Sequence, residues 1–136
     1  MRYFAYGANM NAAAMRERCP GARFLGLARL LGYRFVIART GYGGLAPDPA
    51  AEVHGVMWEL TPADLVALDA FEGVPEGLYR RATLSIDGGP AMIYVPSDPG
   101  DQGRGTPRPG YLEDIVNAAA GYGFPETYLA ELKGWM

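Results

Sequence analysis

Cysteine and histidine each occur once in this chain, as Cys19 and His54. A single cysteine excludes an intramolecular disulfide. One of each excludes a Cys/His zinc cluster and leaves a histidine-based metal site without support, so neither a metal nor an organic cofactor is expected. Cys19 precedes Pro20 and reads as a bystander rather than a nucleophile. His54 sits beside Gly55 in an expected strand, where a packed or edge histidine is the simpler reading than a ligand. Serine is nearly as scarce. Ser85 falls in an expected strand and Ser97 in an expected loop, neither within G-x-S-x-G, which disfavours a Ser-His-acid triad.

Lysine is confined to Lys133, and the arginines are scattered along the chain, a pattern that reads as composition bias. With a net charge of −3 there is no electrostatic case for a nucleic-acid partner. No apolar run reaches the length of a membrane span. The N-terminus lacks the charged-then-apolar pattern of a signal peptide, since RYFAY runs directly into GAN. No membrane partner is expected, and a reducing, cytoplasmic compartment is the default.

What remains is ordinary for a globular protein: 49% hydrophobic and 20% charged residues over 136 positions, which suits one domain spanning 1–136. Tyr3–Tyr6 reads as a short aromatic strand. Asn11 caps a helix running to about Arg18. Phe24–Leu31 and Tyr33–Ala38 read as two strands around Gly32. The following GYGGLAPDP has neither the spacing nor the helix of a dinucleotide fingerprint. Val53–Leu60 resumes as a strand, and Tyr79–Ile86 with Ala91–Val95 forms a hairpin through Asp87-Gly88-Gly89. Pro96–Gly110 is dense in glycine and proline and is read as a lid. Helices over Tyr111–Ala120 and from Pro125 to Leu132 close the chain. The expected fold is α+β, a small mixed β-barrel-like sheet of five to seven strands with flanking helices.

Two stretches carry the chemistry. Thr61 to Tyr79 begins as a helix with Thr61 as N-cap, Pro62 at the first helical position and Asp64 in the first turn. Leu65, Leu68 and Phe71 recur at helical spacing and predict a buried stripe. Gly73 ends the helix and Pro75 prevents its return. Glu72 is thereby left at the helix's negative end, where the dipole and any burial both raise its pKa and suit it to proton transfer near neutral pH. Position alone favours the plainer reading, a solvated surface carboxylate. Glu76, between Pro75 and Gly77, falls in a turn expected to be solvated. In the second stretch, Gly7, Ala8 and Asn9 turn between the first strand and the first helix. The turn is either a plain tight turn or a nest of backbone N–H groups able to hold a carboxylate or oxyanion. A carboxylate paired with such a nest suits a reaction whose nucleophile is supplied by the substrate.

The run Tyr3-Phe4-Ala5-Tyr6-Gly7-Ala8-Asn9-Met10 resembles the Tyr-Gly-Ser-Asn signature of the γ-glutamylcyclotransferase-like (AIG2-like) family. VHGVMWELTPADLVALDAFEGVPEGLY and PRPGYLEDIVNAAAGYGFPETYLAEL resemble its second and third blocks, in the same order and together spanning nearly the whole chain. The resemblance implies a small mixed β-barrel with flanking helices. It also implies cleavage of a γ-glutamyl amide by the glutamyl group's own α-amine, releasing 5-oxoproline and a free amine. It carries the catalytic Glu onto Glu72 and the substrate-binding positions onto Tyr6, Gly7, Ala8, Asn9, Met10, Tyr79 and Tyr111. With it, the preference at Glu72 turns to a catalytic role. Ala8 departs from the family's usual Ser, which matters only if a hydroxyl is needed there. The expected partner is a small γ-glutamyl substrate, the expected assembly a monomer or homodimer. The competing class is a non-catalytic protein of the same fold that binds a metabolite or a partner.

Overall fold

A computed structural model describes residues 1–101 and 103–136; Gln102, within the expected 96–110 loop, lies outside the described residues. Among the described residues five strands, Arg2–Ala5 (β1), Arg23–Ile37 (β2), Gly43–Glu59 (β3), Tyr79–Ile86 (β4) and Gly89–Pro96 (β5), form one sheet in the order β2-β3-β1-β5-β4. Four helices of the described residues accompany it: Ala12–Arg18 (α1), Pro62–Phe71 (α2), Tyr111–Gly121 (α3) and Glu126–Lys133 (α4). β1 lies at the centre, antiparallel to β3 from Arg2↔Glu59 to Ala5↔Val56 and parallel to β5 at Tyr3↔Met92. The edge strands β2 and β4 approach within 8 Å between Cα atoms, so the mixed sheet curls toward a barrel.

The two strands expected on either side of Gly32 are one. Gly32 takes a positive φ of 84° at a shift of register between Leu31 and Tyr33, so the strand bends there and continues. GYGGLAPDP, which no expected strand covers, opens β3 at Gly43. Its prolines are tolerated because this half of β3 pairs only with β2, while β1 takes the other side at residues 56–59. The β4–β5 turn has positive φ at both Asp87 (52°) and Gly88 (80°), the geometry favoured by right-twisted hairpins.

The core runs between the sheet and the helices. Phe4 of β1, Val53 and Val56 of β3, Ile93 of β5, Leu68 of α2 and Leu112 and Ile115 of α3 are all shut off from solvent. Each such side chain contributes about 1.5–3 kcal/mol. His54 is a packed histidine, buried with its ring centroid 4.7 Å from that of Tyr128 and 5.4 Å from that of Phe124. Among the described residues no helix is long and apolar enough to cross a membrane.

Helix α2 starts as its sequence predicts. Thr61 accepts from Asp64 N and Asp64 accepts from Thr61 N, a reciprocal capping box. It stops at Gly73, whose φ of 67° lets Gly73 N donate to Ala70 O and Val74 N to Asp69 O. These two bonds are the pair that defines a Schellman ending, and they make Glu72 the C-cap of the helix. The apolar stripe is shorter than expected. Leu68 is fully buried, but Phe71 is 48% exposed. Its ring lies beneath the Arg18 guanidinium, 3.7 Å from the centroid.

A candidate acid–base site at the end of the first strand

When β1 ends at Ala5 the chain leaves the sheet through Tyr6 and Gly7. It makes one 3-10 turn, Ala8–Met10, and enters α1 beneath Asn11, whose side chain accepts from Ala14 N. Ala8 and Asn9 open that turn, so their N–H groups have no acceptor within it. The C-terminal end of α2 and the N-terminal end of α3 converge on the same place. Between them lies a cavity of about 390 Å³ whose wall includes Tyr6, Gly7, Ala8, Asn9, Glu72, Tyr79 and Tyr111.

Glu72 is half-buried in this wall. Burial pushes its carboxyl up to about 7, against the opposing pull of the Arg18 guanidinium and of a hydrogen bond from Asn9. The sequence argument rested on burial and the helix dipole together; in the folded chain burial dominates. Asn9 Nδ2 donates to Glu72 Oε1 (3.1 Å) and to Tyr3 Oη (3.0 Å), while Asn9 Oδ1 accepts from Arg18 Nη1 (2.6 Å). Arginine is donor-only, so its presence fixes which end of the Asn9 amide faces it and turns the NH₂ toward Glu72. Asn9 is itself buried, and Trp58 Nε1 donates to its backbone oxygen at 3.1 Å.

Thr40, Asp114 and several tyrosines supply the remaining polar surface. Tyr79 Oη donates to Gly43 O, and Gly43 N donates to Tyr111 Oη at 2.9 Å, so both hydroxyls hold the first residue of β3. A Cβ added at either Gly7 or Gly43 would lie 2.9 Å from Tyr111 Oη. The hydroxyl therefore occupies space that two glycines leave open. Tyr6 Oη donates to Tyr94 O at 2.6 Å. Burial raises the pKa of Tyr6, Tyr79 and Tyr111, and all three remain neutral hydroxyls around neutral pH.

Of the eight positions expected from sequence, seven meet here. Met10 does not: its side chain is fully buried in the hydrophobic core and its carbonyl accepts from Tyr122 Oη at 2.7 Å. As the last residue of the 3-10 turn it anchors the turn rather than walling the cavity. Glu76 is exposed and outside the cavity wall. Arg18, Gly43 and Tyr42 were not anticipated. Arg18 has no local signal beyond its place in the last turn of α1. The glycines of GYGG were visible, but only the hydrogen bonds to Tyr79 and Tyr111 show that Gly43 is the one that meets the tyrosines. Cys19 is buried, with its thiol pushed up to about 11 by burial and by Asp64, so it is an inert thiol. Among the described residues no three His, Cys, Asp or Glu side chains gather as a metal site.

The loop read as a lid is fastened along its described part. Asp101 accepts from Arg39 N at 3.0 Å, Gly105 N donates to Ile37 O, and Arg108 N donates to Gly41 O. Arg108 Nε also reaches Thr40 O at 2.9 Å. These bonds tie the described part of the loop to residues 37–41 around the β2–β3 turn.

The α+β fold places a half-buried carboxylate beside a helical turn in the wall of one cavity. The family model described as "Gamma-glutamyl cyclotransferase, AIG2-like" matches residues 3–113, and the chain belongs to that family of cyclotransferase enzymes. It is 30% identical to the γ-glutamylcyclotransferase of Bos taurus over 143 aligned positions, covering 96% of this chain and 76% of the relative. It is also 30% identical to that of Homo sapiens over 146 positions, with the same coverage of both chains. A solved γ-glutamyl cyclotransferase superposes with a TM-score of 0.81 at 26% identity, covering 98% of this chain and 86% of the other.

Proposed function

We propose that the chain cleaves a γ-glutamyl amide by attack of the glutamyl α-amine on its own γ-carbonyl, releasing 5-oxoproline and a free amine or amino acid. The observation that carries this reading is Glu72, a carboxyl poised near neutrality by burial and aimed into the cavity beside the turn at Gly7. A group that titrates near the working pH is effective in both directions of proton transfer. Glu72 takes a proton from the α-ammonium as the amine attacks, and returns one to the departing nitrogen as the C–N bond breaks. No enzyme nucleophile is needed, which fits an inert Cys19 and the scarcity of serine. The N–H groups of Ala8 and Asn9 are the oxyanion donors in this scheme. Gly7, Tyr79 and Tyr111 hold the glutamyl portion, and confinement of amine against carbonyl supplies the orientation term. Ala8 retains the N–H that this role uses. Arg18, the cationic side chain in the wall, provides the counter-charge for a substrate carboxylate.

The free thiol suits a reducing, cytoplasmic setting, and the reading requires nothing beyond a monomer or homodimer. The experiment is a panel of γ-glutamyl amino acids and amines screened for 5-oxoproline. Release from at least one member at enzymatic rates is the expected result. Saturable binding of such compounds without release would favour the non-catalytic class.

A further inference from the structure

We propose that the amine released at this site carries a large apolar side chain, aliphatic or aromatic, seated on a rim formed by Tyr42, Phe71 and Leu78. This rests on the γ-glutamyl reading and extends it to the other half of the substrate. All three side chains line the same cavity as Glu72, and all three are exposed, at 38%, 48% and 50%. The inner groups are not: Asn9, Tyr6 and Tyr79 are at most 7% exposed. The cavity therefore has a polar floor and a mouth that is apolar along Tyr42, Phe71 and Leu78, with Asp114 an exposed carboxylate in the same wall. The glutamyl portion bears an amine, a carboxylate and the reacting carbonyl, and it has to lie against Glu72 on the floor. What hangs from the departing nitrogen then leads outward across the mouth.

The rim is held in place. Phe71 is covered on one face by the Arg18 guanidinium at 3.7 Å. Tyr42 packs edge-on against Tyr111 with centroids 5.2 Å apart, and Arg108 lies over its ring at 4.9 Å. Leu78 packs on the spot where Gly73 lacks a side chain, and Leu78 N donates to Gly73 O at 3.0 Å. Three fixed apolar groups around one opening form a surface that gains by covering, and the leaving group is the part of the substrate that reaches it.

The test compares kcat/KM for 5-oxoproline release from γ-glutamyl-phenylalanine and γ-glutamyl-leucine with γ-glutamyl-alanine, γ-glutamyl-glutamate and the ε-linked γ-glutamyl-lysine. The expected result is a preference of about tenfold or more for the two apolar compounds over alanine. Leu78→Ser and Phe71→Ser, each checked for folding by circular dichroism, should shrink that ratio to about threefold or less. Equal kcat/KM for phenylalanine and alanine, a preference for the glutamate or lysine compound, or a preference that survives both substitutions overturns the proposal. If none of the compounds yields 5-oxoproline, the activity reading fails and the rim is judged separately. Calorimetric titration of Glu72→Gln with γ-glutamyl-phenylalanine and γ-glutamyl-alanine then decides: tighter binding of the former supports the rim, and equal or undetectable binding overturns it.

Discussion

The Asn9 side-chain nitrogen donates to Glu72 Oε1 across 3.1 Å, joining the turn that follows β1 to the C-cap of α2. Asn9 in turn accepts from Arg18 at 2.6 Å, so a surface-side cation and a half-buried carboxyl are coupled through one amide. Burial raises the affinity of Glu72 for its proton; Arg18 and Asn9 draw it back. The balance leaves the group near neutrality, where neither form is locked in.

That balance predicts a pH profile. With Glu72 held at about 7, kcat/KM should fall on the acid side of neutrality as the carboxylate takes up its proton. Arg18→Met removes the charge that lowers this pKa and releases the Asn9 amide. The acid limb should therefore move to higher pH, and less so in Arg18→Lys, which keeps the charge. Rate measurements across the range for all three proteins check the sign; an unmoved limb in Arg18→Met would show that the coupling is absent.

The same burial costs stability. Folded, Glu72 holds its proton up to about 7, against the usual 4.5 of an unfolded carboxyl. A raised folded pKa gives a contribution fully present below the unfolded value and lost as pH rises through the folded one. At alkaline pH the wild type carries the charge in both states, at a cost on the order of 2–4 kcal/mol. Glu72→Gln should raise the Tm at about pH 8, and the advantage should fade below about pH 4.5. A variant less stable than wild type at pH 8 would contradict the burial argument.

Gly7 and Tyr111 should be energetically coupled. A methyl group at position 7 meets the Tyr111 hydroxyl at 2.9 Å, the hydroxyl that accepts from Gly43 N. Gly7→Ala should destabilise the fold by about 1–3 kcal/mol through overpacking and loss of that bond. In a Tyr111→Phe background the added methyl should cost less, giving a coupling energy of roughly 0.5–3 kcal/mol in a denaturant-unfolding double-mutant cycle. Additivity would mean that the hydroxyl is not what Gly7 makes room for.

Ala8 contributes to the cavity wall at the opening of the 3-10 turn. If its role is carried by the backbone N–H, Ala8→Ser should change turnover only a few-fold, since a new hydroxyl bond is worth about 0.5–1.5 kcal/mol. A hundred-fold gain in kcat would identify the hydroxyl as a missing catalytic part.

The limits of legibility have physical causes. α2 was readable from end to end because its start and stop are local chemistry: Thr61 and Asp64 cap each other, and Gly73 adopts the positive φ that only a few residues tolerate. Glu72 followed from that stop. Phe71, 48% exposed, departs from the expected stripe because helical spacing places a side chain on a face without saying whether anything packs over that face. The sheet was legible in its strands but not in its continuity: Gly32 looks like a break in sequence and acts as a bend, since pairing with β3 resumes at Tyr33↔Pro47. Arg18 and Gly43 stayed hidden because they join the site through pairings of distant segments, α1 with the end of α2 and β3 with the start of α3. Met10 was carried along by the motif although the 3-10 turn places it on the core side.

The most direct test is steady-state release of 5-oxoproline by wild type, Glu72→Gln and Glu76→Gln, on a γ-glutamyl compound that the wild type accepts and with circular dichroism to confirm folding. Glutamine keeps the size and polarity of Glu72 but cannot shuttle a proton. The account predicts a fall in kcat of about 10²–10⁴-fold with a much smaller change in substrate affinity. Glu76, exposed and off the cavity wall, should leave kcat within a few-fold when changed to Gln. Near-wild-type turnover by folded Glu72→Gln, or loss of turnover in Glu76→Gln alone, would contradict the assignment of Glu72 as the proton carrier.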